Sequence, residues 1–490
     1  MTDQSDLAAA LAGFRDIEVL CLGDVMLDRF VYGEAERISP EAPIPVVRIT
    51  REAAMPGGAG NVAANLSSLG ARVTLAGVIG ADPAGEELLA RIGALAGVRP
   101  ALLSLAHRAT TIKTRYFAGS QQMLRADREE TGALDSESAD RLRADIRTQL
   151  GRADAVILSD YGKGVLADGM AVDVIGMARQ AGTPVIVDPK GDDYARYRGA
   201  SLVTPNLREL AAASGQPPST LGETGALVAA AGELCRAHDL GAVLVTRSAD
   251  GMTLVTHSGE VLHRPAEARE VFDVSGAGDT VAAVMGAALA RRMTPGDAMA
   301  LANLAAGIVV GRRGTASVAH DELVAALHAA TLMTGAGKIV SIEEAARRVA
   351  AWRQEGLSVG FTNGCFDLLH PGHVSLLAQA RGACDRLVVG LNSDASVTRL
   401  KGRGRPVQSE AARAAVLASL ANVDLVVIFG ADTPIELIAT LKPDVLVKGA
   451  DYSRAEVVGA DIVESYGGRV FLARLEDGFS TTATIARMAE

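Results

Sequence analysis

Residues Val271–Thr280 read VFDVSGAGDT, and the small-residue run VAAVMGAALA follows them. Gly276 and Gly278 allow the backbone to turn sharply between an apolar, strand-like run and a predicted helix. Such a turn points backbone N–H groups into one space at a helix N-terminus, where they bind phosphate oxygens without a basic side chain. The stretch therefore predicts a strand–loop–helix unit of an α/β fold that holds a phosphate group.

Asp279 is the unexpected residue of this loop, because a carboxylate repels a phosphate group. Its place is explained if it takes a proton from an attacking hydroxyl. The alternative is a glycine-rich turn in which Asp279 is only a residue of the first helical turn. The residues of the loop leave both interpretations open.

A second dense stretch, NGCFDLLHPGH, runs from Asn363 to His373 after the apolar run LSVGF. Pro371 is a favoured first residue of a helix, so His370 and His373 are predicted to flank a helix start with their imidazoles facing one point. A metal pair is one interpretation, but no third ligand follows at a typical spacing. Two histidines at a helix N-terminus favour the stabilisation of negative charge on phosphate.

The composition limits the classes of protein to consider. The chain has 490 residues, too many for one core, and 22% of them are charged, as in ordinary folded proteins. Its net charge of −10 argues against non-specific nucleic-acid binding. The four cysteines form no CxxC pair, and no apolar run reaches the ~18 residues of a membrane-spanning helix. We expect a cytoplasmic protein with neither a nucleic-acid nor a membrane partner.

Short β-branched apolar runs alternate with Ala/Leu-rich helical segments. The runs are 17–23, 73–80, 155–160, 184–189, 202–206 and 242–247. Their near-continuous hydrophobicity suits strands buried on both faces of a parallel sheet, which predicts a doubly wound α/β fold. Residues 43–50 and 110–129 instead predict a small antiparallel β structure, with a turn at Gly119–Ser120, that acts as a lid over a site or as a dimer contact.

The alternation of strands and helices restarts late in the chain. The short, glycine-containing segment TLMTGAGKIV is the predicted linker, at residues 331–340. It separates a first domain, residues 1–330, from a smaller α/β domain, residues 341–490.

Three motifs of the first domain resemble the ribokinase/PfkB family of sugar kinases in order and spacing. They are PGGAGNVAANLSSLG (56–70), TPNLREL (204–210) and DVSGAGDT (273–280). The resemblance covers about residues 15–325 and implies a ribokinase-like α/β domain with Asp279 as the catalytic base. It also implies that the backbone of Gly276, Ala277 and Gly278 forms an anion hole for the transferred phosphoryl group.

The same resemblance assigns the residues around this centre. Asn206 and Glu209 would organise the nucleotide phosphates and, indirectly, Mg²⁺. The implied sugar contacts are Asp24, Asp28, Gly57, Gly58 and Asn61. The implied nucleotide contacts in the turn TRSADG are Thr246, Arg247 and Gly251. This turn departs from the family at Ser248, where many relatives have glycine.

The stretch FTNGCFDLLHPGHVSLL resembles the HxGH signature of the cytidylyltransferase-like nucleotidyltransferases, over roughly residues 357–490. The resemblance implies a Rossmann-like α/β domain in which His370 and His373 contact the phosphates of a nucleoside triphosphate. No base is required, because the nucleophile is already a phosphate anion. The other implied nucleotide contacts are Thr362, Asn363, Gly364, Phe366, Asp367, Lys401, Lys448, Ser480, Thr481 and Thr482.

A kinase followed by an HxGH domain resembles the bifunctional heptose kinase/adenylyltransferase family of lipopolysaccharide synthesis. The resemblance implies D-glycero-β-D-manno-heptose 7-phosphate as the acceptor, ATP as a substrate of both sites, Mg²⁺ as the cofactor and ADP-heptose as the pathway product. No stretch resembles a phosphatase, so a separate phosphatase for carbon 7 is the expected pathway partner. We expect a homodimer, formed through the lid. The alternatives are another sugar or polyol acceptor, CTP at the second site, or a non-catalytic sugar-phosphate sensor.

Overall fold

The structure of the chain is a computed structural model, and it describes residues 7, 10–267, 273–312, 314, 316–334, 336–402, 404–450 and 453–474. The chain divides into two compact units, a first unit, Met1–Leu327, and a second unit, His328–Glu490. The helix His320–Thr334 crosses this division, and the strand Ile339–Val340 lies in the segment predicted as a linker. The domain bounds 1–330 and 341–490, with a linker at 331–340, stay a prediction.

The described residues of the first unit form a nine-stranded sheet. Its strands, in spatial order, are Val261–Arg264, Met252–Thr256, Ala242–Thr246, Leu202–Val203, Val185–Asp188, Ala155–Ser159, Glu18–Gly23, Arg72–Gly80 and Val98–Leu105. The first two strands of this order are antiparallel to their neighbours and the rest are parallel. All the predicted apolar runs lie on parallel strands, which confirms the doubly wound α/β class.

Helices cover both faces of this sheet. Successive side chains of a strand point to opposite faces, and these strands are apolar at nearly every position, so both faces need to be buried. Val156 and Leu158 belong to a core cluster with residues of the helices Ser136–Leu150, Met170–Ala181 and Thr224–Ala237. Ile157, between them, faces the helix Ala277–Ala290, where a Cβ added to Gly286 would lie 2.5 Å from its Cδ1. The other helices of this unit are Ala59–Ser68, Pro83–Gly93, Leu207–Ser214 and Pro295–Val309.

A four-stranded sheet, here called the lid sheet, extends the first unit. Its strands, in spatial order, are Pro45–Gly58, Val25–Ile38, Thr111–Ala118 and Gln121–Arg128. The predicted turn at Gly119 joins the last two strands, and Gly119 has a φ of +59°, which favours glycine. The small β structure is therefore confirmed. The sequence interpretation missed Val25–Ile38, because that strand follows Glu18–Gly23 after only one intervening residue.

The second unit is built on a six-stranded parallel sheet. Its strands, in spatial order, are Ile339–Val340, Leu425–Phe429, Arg386–Asn392, Val359–Gly364, Val445–Gly449 and Arg469–Ala473. The order reverses beside Val359–Gly364, which makes the carboxyl end of that strand the expected ligand-binding crevice of a Rossmann-like sheet. Its helices are Ile342–Gln354, Pro371–Gly382, Asp394–Lys401, Glu410–Ala418, Ile435–Leu441 and Ala460–Ser465.

Apolar side chains cover both faces of this second sheet. Leu387 and Val389 belong to one core cluster, and Val388, between them, belongs to another. Within the ranges that the structure describes, no helix has the length and apolar character needed to cross a membrane.

Candidate active sites

Asp279 lies in the first turn of the helix Ala277–Ala290. Gly276 precedes this helix with a φ of +81°, the left-handed conformation that the predicted sharp turn requires. The Asp279 side chain is buried, and each of its oxygens accepts one hydrogen bond. Asn61 Nδ2 donates to Oδ2 at 2.7 Å, and the Tyr161 hydroxyl donates to Oδ1 at 2.9 Å.

Burial raises the pKa of Asp279 to about 7, because removal from water disfavours the charged form. The hydrogen bonds from Asn61 and Tyr161 lower the pKa, and the nearby Asp28 carboxylate raises it. A carboxyl group with this pKa takes up a proton readily near neutral pH, as a general base must.

Two glycines of the lid sheet lie close to the buried residues Asp28 and Asp24. A Cβ on Gly57 would lie 2.3 Å from Asp28 Oδ2, and a Cβ on Gly58 would lie 2.3 Å from the backbone oxygen of Asp24. Gly58 also has a φ of +58° and precedes the helix that carries Asn61. The structure thus brings the predicted sugar-contact residues close to one another, and one of them, Asn61, contacts Asp279 directly.

The carboxylates of Asp24 and Asp28 have protein partners. Asp24 accepts hydrogen bonds from the backbone N–H groups of Tyr161, Lys163 and Val165. Asp28 forms an ion pair with Arg115 of the lid sheet at 2.7 Å. Burial raises the pKa of both carboxyl groups. Their contact with sugar hydroxyls stays a prediction.

Asn206 and Glu209 form the capping box of the helix Leu207–Ser214. Asn206 also forms a β-bridge with Thr246, so the predicted nucleotide residues of these two segments lie together. The Arg247 N–H donates to the carbonyl of Gly251 at 2.8 Å and closes the turn.

The departure at Ser248 has a structural correlate. Ser248 has a φ of +51°, in the left-handed region that glycine adopts without steric cost. Serine therefore occupies a backbone conformation that glycine would adopt at less steric cost.

An acidic group that the sequence interpretation missed lies at the end of the strand Val185–Asp188. Burial, followed by the carboxylates of Asp279 and Glu209, raises the pKa of Asp188 well above its ordinary value. Lys190 Nζ lies 3.0 Å from Glu209. Within the described ranges, no three His, Cys, Asp or Glu side chains are placed to hold a metal ion together. Mg²⁺ needs only one or two carboxylates when phosphates and water supply its other ligands, so the carboxylates of Asp188 and Glu209 fit this ion.

In the second unit, His370 is the N-cap of the helix Pro371–Gly382. Its ring stacks on that of His373, with centroids 3.8 Å apart, and the His373 ring also contacts Phe366 at 5.1 Å. The predicted convergence of the two imidazoles at a helix start is therefore present. Burial, then His370 and then Lys401, lower the pKa of His373 to about 4. Burial also lowers the pKa of His370.

The crevice at the sheet reversal contains two more of the predicted residues. Lys448, on the strand Val445–Gly449, donates from Nζ to the carbonyl of Asn363 at 3.2 Å. Asn363 Oδ1 is buried and has no hydrogen-bond partner among the described residues. Thr362 and Gly364 lie on the same strand as Asn363. The strand end thus carries polar groups positioned to meet a ligand.

Asp367 is turned towards the protein. Burial raises the pKa of its carboxyl group. Hydrogen bonds from Arg405 and from the backbone of Val407 and Gln408 lower this pKa by more than burial raises it, so the net pKa lies below the ordinary value. Arg405 Nε donates at 2.6 Å. The carboxylate thereby holds the segment 405–408, and its predicted contact with nucleotide stays a prediction.

Other residues complete this description. Arg413, which the sequence interpretation missed, is fully buried and donates to the Cys365 carbonyl at 2.5 Å and to Asp394 at 2.6 Å. Lys401 ends the helix Asp394–Lys401. The predicted nucleotide contacts outside the described residues are Ser480, Thr481 and Thr482.

Two family models match separate parts of the chain, and full-length relatives match nearly all of it. Residues 16–322 match the pfkB family carbohydrate kinases, and residues 361–487 match the cytidylyltransferase-like family. A bifunctional protein HldE of Paramagnetospirillum magneticum is 58% identical over 488 residues, which cover 100% of this chain and 99% of the relative. The bifunctional protein HldE of Rhodospirillum rubrum is also 58% identical, over 98% of this chain and 97% of the relative.

Solved structures are similar to 64% of the chain. Phosphofructokinase-2 of Escherichia coli in complex with potassium has a TM-score of 0.54 and 22% identity, and 98% of it is covered. A ribokinase of Arabidopsis thaliana complexed with ribose and ATP has a TM-score of 0.50 and 20% identity, also with 98% covered. At these identities the similarity shows the ribokinase-like fold alone.

The two domains and the full-length relatives identify the chain as an enzyme with a sugar kinase domain and a nucleotidyltransferase domain. It belongs to the HldE family of bifunctional proteins, which confirms its resemblance to the heptose kinase/adenylyltransferases of ADP-heptose biosynthesis.

Proposed function

We propose that the first unit transfers the γ-phosphoryl group of ATP to the carbon-1 hydroxyl of D-glycero-β-D-manno-heptose 7-phosphate. The observation that carries this proposal is Asp279, a buried carboxylate with a pKa of about 7 beside a glycine turn at a helix N-terminus. Asp279 takes the proton of the hydroxyl as the oxygen attacks the γ-phosphorus. The backbone N–H groups of Gly276, Ala277 and Gly278 stabilise the charge on the transferred group.

We include Mg²⁺ in this proposal because acidic residues lie close to the predicted nucleotide contacts. Asn206 and Glu209, as predicted, and Asp188 would hold it, in part through water and phosphate oxygens. When bound, the ion would neutralise negative charge on the phosphates. The raised pKa of Asp188 supports this assignment, because carboxylates crowded beside each other favour a cation or a proton.

The second unit transfers the adenylyl group of ATP to heptose 1-phosphate and releases diphosphate. A phosphate oxygen of the sugar attacks the α-phosphorus, so no protein base is needed. His370 and His373 donate to the triphosphate as the charge on the α-phosphate grows. Neutral imidazoles serve this purpose, since each retains one N–H donor. Lys448 and Lys401 contribute positive charge near the leaving diphosphate.

Three further expectations belong to the proposal: a cytoplasmic location, a homodimer formed through the lid sheet, and a separate phosphatase that removes the carbon-7 phosphate. Exposed apolar side chains on the lid sheet support the dimer. They include Ile38, Ile49 and Leu124.

Asp279→Asn tests the kinase assignment. The variant should lose phosphorylation of heptose 7-phosphate by about 10²- to 10⁴-fold, the usual effect of removing a general base. Adenylyl transfer to heptose 1-phosphate should keep the wild-type rate, which also controls for folding of the second unit. Kinase turnover near the wild-type rate would exclude Asp279 as the base.

A further inference from the structure

We propose that Tyr161 is a positioning residue of the kinase site, which orients the Asp279 carboxylate towards the acceptor hydroxyl through a direct hydrogen bond. This inference rests on the proposed role of Asp279 as the base. The Tyr161 hydroxyl donates to Asp279 Oδ1 at 2.9 Å, across 118 residues of sequence. None of the sequence motifs described above includes Tyr161, so the sequence did not predict this contact.

The Asp24 carboxylate holds the backbone of the loop that carries Tyr161. Strands Glu18–Gly23 and Ala155–Ser159 are parallel neighbours, and Gly23 pairs in register with Ser159. Their carboxyl ends therefore place Asp24 beside the loop that starts at Asp160. Asp24 accepts backbone hydrogen bonds from Tyr161, Lys163 and Val165, at 2.9 to 3.2 Å. A buried carboxylate thus holds the loop in the conformation that presents the Tyr161 hydroxyl.

Tyr161 and Asn61 hold the two oxygens of Asp279 from different elements. Asn61 donates to Oδ2 from the helix Ala59–Ser68, and Tyr161 donates to Oδ1 from its loop. Two donors on the two oxygens fix the plane of the carboxylate. Each oxygen of an ionised carboxylate has about two acceptor sites, so one remains for the proton of the sugar hydroxyl.

Tyr161 acts through its hydrogen bond and not as a base itself. Burial, followed by the charges of Asp279, Asp188 and Asp28, raises the pKa of the phenol well above 10. The phenol therefore stays protonated and remains a donor. The titratable groups that face Asp279 from neighbouring elements are Tyr161, Asp28, Asp188 and Cys21.

The pH profile of Tyr161→Phe tests the proposal. A hydrogen bond to the charged form lowers the pKa of Asp279, so its removal raises that pKa by about one unit. Wild-type kinase kcat/KM should fall as the pH drops through about 7. The acid limb of the variant should move up by about one pH unit, with roughly a tenfold deficit at low pH that narrows above about pH 9. Titration of the substrate phosphates is common to both enzymes and cancels in the comparison.

Tyr466→Phe is the matched control. It removes a phenol hydrogen bond in the second unit, from Tyr466 to the Pro443 carbonyl at 3.1 Å, without touching Asp279 or the loop that carries Tyr161. It should lower thermal stability and leave the midpoint of the acid limb unchanged. Fluorotyrosine at position 161 provides a second variant that retains the contact. As a stronger donor, it should move the acid limb to lower pH.

Opposite shifts with phenylalanine and fluorotyrosine support the positioning role, since a merely structural residue would not produce them. A Tyr161→Phe profile with the wild-type acid limb would overturn the inference. The proposed function fails separately, if Asp279→Asn retains full kinase turnover. Loss of turnover in Asp279→Asn with an unmoved Tyr161→Phe profile would remove Tyr161 alone.

Discussion

Asp279 illustrates how burial and hydrogen bonding act against each other at one residue. Burial raises its pKa, and donors from Asn61 and Tyr161 limit the rise to a value of about 7. A lower pKa would weaken the base, and a much higher pKa would leave it protonated. The motif around Asp279 identified this residue from sequence. Tyr161 and Asp188 were not predicted, because they lie at or just after the ends of strands that are distant in sequence from Asp279.

At the second site, His373→Ala should lower kcat for adenylyl transfer by about 10²- to 10³-fold and raise the KM for ATP less, because the lost donor acts mainly in the transition state. Steady-state kinetics with heptose 1-phosphate measure both effects. His107→Ala, at an exposed side chain of the first unit, is the control and should change neither constant. Zinc in the purified protein, with adenylyl transfer that a chelator removes and that zinc but not Mg²⁺ restores, would support a metal pair instead.

Asp367 should contribute to stability through its contact with Arg405. The pair is almost fully buried, and removal of one partner leaves the other charge uncompensated. Asp367→Ala should therefore lower the free energy of unfolding by about 3 kcal/mol. Asp432→Ala is the control, because its ion pair with Arg399 is exposed and should contribute little. Chemical denaturation, followed through the unfolding transition of the second unit, measures the free energy of unfolding of both variants.

The pH dependence of this effect follows from the direction of the Asp367 pKa. The folded-state pKa lies below the ordinary value, so the stabilisation is present above the unfolded pKa of about 4 and is lost as pH falls through the folded pKa. The difference in the free energy of unfolding between wild type and Asp367→Ala should be present at neutral pH and should become smaller in acid. An unchanged difference down to low pH would contradict the assignment.

At the scale of elements, the helix Ala277–Ala290 lies close to the sheet because Gly286 lacks a side chain. A Cβ there would lie 2.5 Å from Ile157 Cδ1, in a fully buried region. Gly286→Ala should destabilise the first unit by about 1 to 3 kcal/mol through overpacking. Gly176→Ala is the control, since nothing lies within 4 Å of its added Cβ and alanine favours a helix. Equal unfolding midpoints for the two variants would contradict the close packing.

Periodicity predicted the buried parallel strands well, because their apolar runs are nearly continuous and separated by helical segments. It did not predict Val25–Ile38, an inner strand of the lid sheet whose last five residues are exposed, or the two-residue strand Ile339–Val340. Short strands and strands exposed to water leave little hydrophobic pattern to detect. The roles of Asp24 and Asp367 in holding loops depend on backbone N–H groups, which sequence patterns do not locate.

At the scale of the whole molecule, the two proposed reactions do not follow each other directly. The kinase yields a heptose that carries phosphate at carbons 1 and 7, whereas the adenylyl acceptor carries phosphate at carbon 1 alone. We therefore propose that a separate phosphatase acts between them. The two sites share ATP but take different sugars, which supports independent recognition of the sugar in each unit.

Mass spectrometry of the products from ATP and heptose 7-phosphate tests the central claim most directly. The purified chain should accumulate the heptose 1,7-bisphosphate and form no ADP-heptose. After a phosphatase specific for carbon 7 is added, ADP-heptose and diphosphate should appear. Formation of ADP-heptose by the chain alone, or the absence of any bisphosphate, would contradict the account.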